Sequence, residues 1–354
     1  MSFINNWLRS DIQAINAYHV PPSENMVKLD AMESPFPLAE DLIGQYLAYL
    51  ADADLNRYPN PNALELQQSL RELMNIPDAF GVLLGNGSDE LIQLLALACE
   101  AGDTILSVEP SFVMYDMISK FTHLNYQGVD LTDEFEIDLP VMLSAIATHQ
   151  PKLIFIAYPN NPTGNSFDRA TIEKIITSTT AMVVLDEAYY AYADDSFLAD
   201  IAKYPNLVLL RTISKIGFAG LRLGLLIGAQ DTVEQLDKLR LPYNINTLTQ
   251  VSANFLLSER ADIDANAKII LQQRSKLSSA LKTIDGLKVY PSQANFLLFK
   301  APKANQLFEN LKQNGVLIKN LANTPKLTDC LRVTIGTSKE NQQFINIVEQ
   351  FYGQ

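Results

Sequence analysis

Residues 153–164 read LIFIAYPNNPTG: five apolar residues that run straight into a turn built from two prolines, two asparagines and a Thr-Gly pair. The apolar run has strand length and no polar alternation, the pattern of a strand covered on both faces. The turn is over-specified for a mere connection, because its prolines stiffen it and fix where an asparagine amide points. Its Asn161–Pro162 bond is a candidate for the cis form, since X–Pro prefers trans by only about 0.5–1 kcal/mol. The same strand pattern recurs at 104–108 (TILSV), 182–185 (MVVL) and 207–210 (LVLL). Segments such as 89–100 (DELIQLLALACE) and 168–177 (DRATIEKIIT) carry helical spacing. This alternation, from about 50 to 242, predicts an α/β fold with a mainly parallel sheet.

Beyond about 247 the pattern changes. A long helical stretch, 250–281 with one or two breaks, leads to strands expected at 287–290, 296–299, 316–319 and 331–335. Helices are expected at 305–313 and 339–352. This reads as a smaller α+β domain, so the expected division is a large domain at 36–249, with 1–35 plus 250–354 forming an N-terminal arm and small domain.

Composition narrows the function. The chain has 354 residues, 47% hydrophobic and 19% charged, enough apolar content for a sizeable core. It holds 27 Lys and Arg against 40 Asp and Glu, a net charge of −13 that repels nucleic acid and anionic membranes. A phosphorylated ligand therefore needs a local cluster of positive groups and N–H donors. No unbroken apolar run reaches a membrane span, and residues 1–22 lack the apolar segment of a secretory signal. Cys99 and Cys330 each sit in an apolar run, reading as free thiols of a cytoplasmic protein. His19, His123 and His149 are scattered, so no metal is expected, and no GxSxG hydrolase motif is present.

Ligands in open α/β sheets bind beyond the carboxyl ends of strands, and four polar turns stand there. Gly85-Asn86-Gly87-Ser88-Asp89-Glu90 opens a helix whose N–H groups and dipole favour an anion, though a capped tight turn reads equally well. The second is the Tyr158–Gly164 turn. In the third, Asp186 ends an apolar strand, where a carboxylate needs a cation: a salt-bridge partner or a protonated ring nitrogen. In the fourth, Lys215 follows a buried strand, where desolvation makes an amine a nucleophile towards a carbonyl. Thr212, Ser214 and Arg222 beside it suit a phosphate.

Together these motifs carry a resemblance. PNNPTG, DEAY, TISK followed by AGLRLG, and LRVTIGT resemble the fold-type-I pyridoxal-phosphate aminotransferases of the aspartate aminotransferase superfamily. NRYPNP at 56–61, GNGSDE at 85–90, and YHVPP then KLDAMESP narrow the resemblance to the histidinol-phosphate aminotransferases. It spans nearly the whole chain, in order.

The resemblance implies pyridoxal 5'-phosphate as cofactor, held by Lys215 as a Schiff base, with Lys215 also shuttling the substrate proton. It implies Asp186 at the ring nitrogen, Asn161 and Tyr189 at the phenolic oxygen, and Phe112 stacked on the ring. Ser88, Asp89, Thr212, Ser214 and Arg222 are implied round the phosphate; Asp89 matches the family pattern, but its charge is odd beside a phosphate, and its position suits capping of the helix N-terminus. Tyr58 would reach the cofactor phosphate of a second subunit, making the unit a homodimer. Arg332 and Tyr18 are implied at the substrate, with Asn161, and Lys319 stands where many members have a second arginine. The implied reaction moves the amino group of L-glutamate to imidazole acetol phosphate, giving 2-oxoglutarate and L-histidinol phosphate, a step of histidine biosynthesis. An aromatic aminotransferase and a threonine-phosphate decarboxylase share this architecture and stay open on the sequence.

Overall fold

The structure is a computed structural model that describes residues 3–17 and 20–353. Its strands are β1 (Val27–Leu29), β2 (Phe80–Asn86), β3 (Thr104–Glu109), β4 (Asn125–Asp130), β5 (Leu153–Ala157) and β6 (Met182–Asp186). They continue with β7 (Leu207–Thr212), β8 (Leu223–Ala229), β9 (Lys288–Val289), β10 (Phe296–Lys300), β11 (Val316–Asn320) and β12 (Cys330–Thr334). Seven form one sheet in the order β2-β8-β7-β6-β5-β3-β4. The four apolar runs singled out in the sequence are β3, β5, β6 and β7, all mutually parallel, with β4 parallel on the outer edge. Alternate residues of these strands feed two different cores. Leu106, Ile154, Leu185 and Leu209 pack on one face, and Ile105, Phe155, Val184 and Val208 on the other. Coverage on both faces is the physical reason these strands read as continuous apolar runs.

The runs quoted from the sequence omit β2 and β8, which pair antiparallel with each other, β8 also running antiparallel to β7. Their glycines mimic turn signals, yet Gly81 faces Gly228 and Gly85 faces Gly224 across the pair. A β-carbon on Gly224 would stand 2.5 Å from the backbone nitrogen of Ser88. The missing side chain lets the loop 85–88 lie against the sheet.

The second sheet runs β1-β11-β12-β10-β9, with β1 parallel to β11 and the remaining pairs antiparallel. The stretch 250–281 is two helices, Thr247–Ser258 and Arg260–Lys282, meeting at Glu259. Among the described residues no helix is long and apolar enough to cross a membrane. Because β3, β5, β6 and β7 are parallel, the turns after them gather at one edge of the large sheet.

Candidate active site

At that edge lies a cleft walled by the turns after β2, β5, β6 and β7. Every cofactor-binding residue expected from the sequence except Tyr58 lines it.

The end of the cleft that the sequence reading assigns to a phosphate is built by the loop after β2. Gly87, at φ 82, caps the helix Ser88–Leu97 without a side chain, which leaves the first N–H groups of that helix for a ligand. A β-carbon on Gly87 would collide with the guanidinium of Arg222. Arg222 reaches this point from a left-handed residue (φ 50) just before β8, and its Nη2 lies 3.3 Å from Asp89 Oδ2. Asp89 makes that pair in the first helical turn, and no side chain caps the helix, contrary to the capping role expected of it. Glu90 closes the loop, its Oε2 accepting from the Asn86 N–H at 2.5 Å and from Asn244 Nδ2 at 2.9 Å. The Thr212 hydroxyl accepts from the Ser214 N–H at 3.0 Å and lies 2.9 Å from the Ser214 hydroxyl.

The two acids of DEAY part company where β6 ends, Asp186 being its last residue and Glu187 the first beyond it. Glu187 turns away from the cleft and forms a buried pair with Arg211, Oε2 to Nη2 at 2.8 Å. Asp186 turns into the cleft, where burial pushes its carboxyl up to about 6. Two donors oppose that rise: the Tyr115 hydroxyl on Oδ2 at 2.9 Å and the Ala188 N–H on Oδ1 at 3.1 Å.

Lys215 sits in a π-helical turn, Ser214–Phe218, whose Gly217 takes φ 125. Its carbonyl accepts from the Tyr192 hydroxyl at 2.6 Å, which pins the backbone, and its Nζ donates to the Ala31 carbonyl at 3.3 Å. Burial, aided by the positive field of Arg332, pulls the amine down to about 8. A usable fraction is then neutral and nucleophilic near pH 7.

The PNNPTG turn divides its asparagines. Asn160, fully buried, donates from Nδ2 to the Pro110 carbonyl at 3.0 Å and accepts from Ser111 at 3.0 Å, so it holds the turn together. Asn161, following a turn with a cis Asn161–Pro162 bond, faces the cleft, and its Oδ1 accepts from Arg332 Nη1. Arg332 comes from the smaller sheet, donates from Nη2 to the Asp30 carbonyl at 3.0 Å, and lies opposite Lys319 in the β11–β12 register. Burial, then the field of Arg332, lowers the Lys319 amine. Burial raises the Tyr189 phenol, whose ring stands 5.2 Å edge-on from Phe296. Phe112 lines the cleft and meets Tyr115 edge-on at 5.6 Å.

Tyr58 stands elsewhere: it is 80% exposed and stacks on Tyr243 with centroids 4.5 Å apart. Tyr18 lies outside the described residues. Sequence reasoning missed Tyr115, Tyr192 and Glu90. For Tyr115 a signal existed, a tyrosine only three residues after Phe112, the residue expected on the ring.

A family model of aminotransferase class I and II matches residues 24–348. The chain belongs to that family. A histidinol-phosphate aminotransferase of Vesicomyosocius okutanii is 73% identical to this aminotransferase chain over 99% of both. The fold matches a histidinol-phosphate aminotransferase of Sinorhizobium meliloti, solved in complex with pyridoxal-5'-phosphate, with TM-score 0.86, 22% identity and 97% of each chain covered. It also matches an L-threonine-O-3-phosphate decarboxylase of Porphyromonas gingivalis, with TM-score 0.78 and 23% identity, over 93% of this chain and 100% of that one. Fold likeness therefore does not separate transferase from lyase.

The cleft fits pyridoxal phosphate on its own chemistry. A side-chain-free helix start beside Arg222 suits the phosphate, a buried acid suits the ring nitrogen, and a lysine with a lowered pKa suits the carbonyl.

Proposed function

We propose that this aminotransferase exchanges an amino group between L-glutamate and imidazole acetol phosphate, giving 2-oxoglutarate and L-histidinol phosphate in histidine biosynthesis. One observation carries the reading. Lys215, Asp186, Asn161 and Arg222 converge on one cleft, in a chain 73% identical to a histidinol-phosphate aminotransferase. Bound there, pyridoxal 5'-phosphate supplies an electron sink for the charge that develops at the substrate Cα.

The chain's own groups do the rest. Lys215 Nζ takes the Cα proton and returns it one carbon away, and an amine lowered to about 8 suits both directions near neutral pH. Asp186 holds a proton at the ring nitrogen. Asn161, its Oδ1 occupied by Arg332, has Nδ2 left to donate to the phenolic oxygen, beside Tyr189. Ser88, Asp89, Thr212, Ser214 and Arg222 hold the phosphate, and Phe112 covers the ring. Arg332 clamps a substrate carboxylate in its planar fork, while Lys319 beside it, and Tyr18 from the arm, serve the substrate phosphate.

The functional unit of this reading is a homodimer. Tyr58, exposed on its Tyr243 platform, reaches the cofactor phosphate of a second copy. In this reading the protein works in the cytoplasm, with 36–249 as the large cofactor-binding domain and 1–35 plus 250–354 as the N-terminal arm and small domain.

The test is a spectral titration of the cofactor-loaded protein with L-histidinol phosphate and with L-phenylalanine. Conversion of the cofactor band by histidinol phosphate at far lower concentration supports the reading. Preference for phenylalanine moves the chain to the aromatic aminotransferases and makes Lys319 a bystander. Decarboxylation of L-threonine phosphate without any 2-oxoglutarate requirement assigns it to the lyases.

A further inference from the structure

The helix Met114–Phe121 brings a polar group to the floor of the cleft that no step above uses. Tyr115 is fully buried, its ring stacked on Phe155 at 4.7 Å and 13°. Phe112, which lines the cleft, meets the same ring edge-on. The phenol is thus held on two sides, and its hydroxyl donates to Asp186 Oδ2 at 2.9 Å. Burial and the adjacent carboxylate raise the phenol well above its ordinary value, so at working pH it is a donor. A buried carboxylate keeps its charge only where fixed donors replace water. Asp186 has one such donor per oxygen, Tyr115 on Oδ2 and the Ala188 N–H on Oδ1.

We infer that Tyr115 is a positioning residue for the reaction: its hydroxyl fixes the Asp186 carboxylate and keeps the shared proton on the cofactor's ring nitrogen. The inference rests on the assignment of Asp186 to that nitrogen. A carboxylate and a ring nitrogen sharing one proton form a coupled pair. Removing a donor from the carboxylate makes it the more basic partner, so the proton moves towards Asp186 and the ring loses its cationic character. Asp89 and Lys215 also face Asp186, with opposite signs, and Tyr126 and Tyr189 face Tyr115. None of these donates a hydrogen bond to Asp186 Oδ2 in the structure, so a change confined to the Tyr115 hydroxyl isolates its effect.

The experiment uses Tyr115→Phe and, as a stronger donor of the same shape, 3-fluorotyrosine at position 115. In cofactor-free protein the Asp186 carboxyl is followed by infrared titration, its band assigned by loss in Asp186→Asn. A hydrogen bond to a charged acceptor is worth about one to two pH units of proton affinity. The phenylalanine variant is expected to raise the midpoint by about that much, and the fluorotyrosine to lower it. With pyridoxal phosphate labelled with ¹⁵N in the ring, Tyr115→Phe is expected to shift the nitrogen resonance towards the unprotonated form. A midpoint that moves in neither variant overturns the inference, and so does an unchanged ring resonance in Tyr115→Phe. Should the phenylalanine variant not fold, the fluorotyrosine midpoint decides. If the unsubstituted protein binds no pyridoxal phosphate, the cofactor reading fails, and the cofactor-free midpoint still tests the Tyr115–Asp186 link separately.

Discussion

Replacing Lys215 by methionine is expected to make the cofactor-free protein more stable, and only below a defined pH. The side chain keeps its reach into the cleft but loses its charge. Burial and Arg332 hold the folded-state amine at about 8, against 10.5 for an ordinary lysine. The unfolded chain therefore binds more protons between those values, so the lysine's burden on stability falls as pH rises through that window. Below about pH 8 the full burden applies, about 3 kcal/mol at 1.36 kcal/mol per pKa unit. Losing the Nζ donation to Ala31 offsets about 1 kcal/mol of this. The methionine variant should thus gain about 2 kcal/mol at pH 7 and close to none at pH 9.5. Urea denaturation of both cofactor-free proteins at the two pH values measures the difference. A variant no more stable at pH 7, or an advantage equal at both pH values, would refute the claim that the site holds a desolvated amine. The same protein should lose transamination altogether.

Other perturbations probe the rest of the cleft. Arg332→Lys keeps the charge but not the planar fork, so the KM for glutamate should rise by about tenfold or more with kcat less affected, read from steady-state kinetics. Gly87→Ala places a β-carbon against the Arg222 guanidinium on backbone at φ 82, and equilibrium dialysis should show pyridoxal phosphate bound at least about tenfold more weakly. Tyr58→Phe removes the hydroxyl assigned to the partner's phosphate. Cofactor retention through gel filtration should fall if the proposed dimer contact exists, and unchanged retention counts against it.

The parallel heart of the fold was legible because strands buried on both faces leave uninterrupted apolar runs. Asp186 was legible because it is polar where such a run stops, and Asn161 and Lys215 because they stand in the polar turns that follow two others. The antiparallel flank was hidden, since the facing glycines of β2 and β8 mark a close approach that local sequence cannot tell from a turn. Nor does sequence say which of two adjacent acids enters the cleft. Asp186 does, and Glu187 pairs with Arg211, a partner that the neighbouring strand β7 supplies. Tyr115 escaped because an isolated tyrosine on an apolar helix reads as packing until a neighbouring strand delivers a carboxylate. Asp89 was assigned a cap on its position alone, and the nearby Arg222 guanidinium offers it an opposite charge.

The bond between Arg332 and Asn161 gives the proposed substrate clamp a neutral placeholder. An amide oxygen satisfies one donor of the guanidinium and keeps it aimed, yet it brings no charge of its own. An arriving carboxylate that takes the place of the amide gains ion pairing the amide cannot give. An aspartate in that place would be a permanently tethered competitor for the substrate, so readiness at this site depends on a partner weak enough to lose.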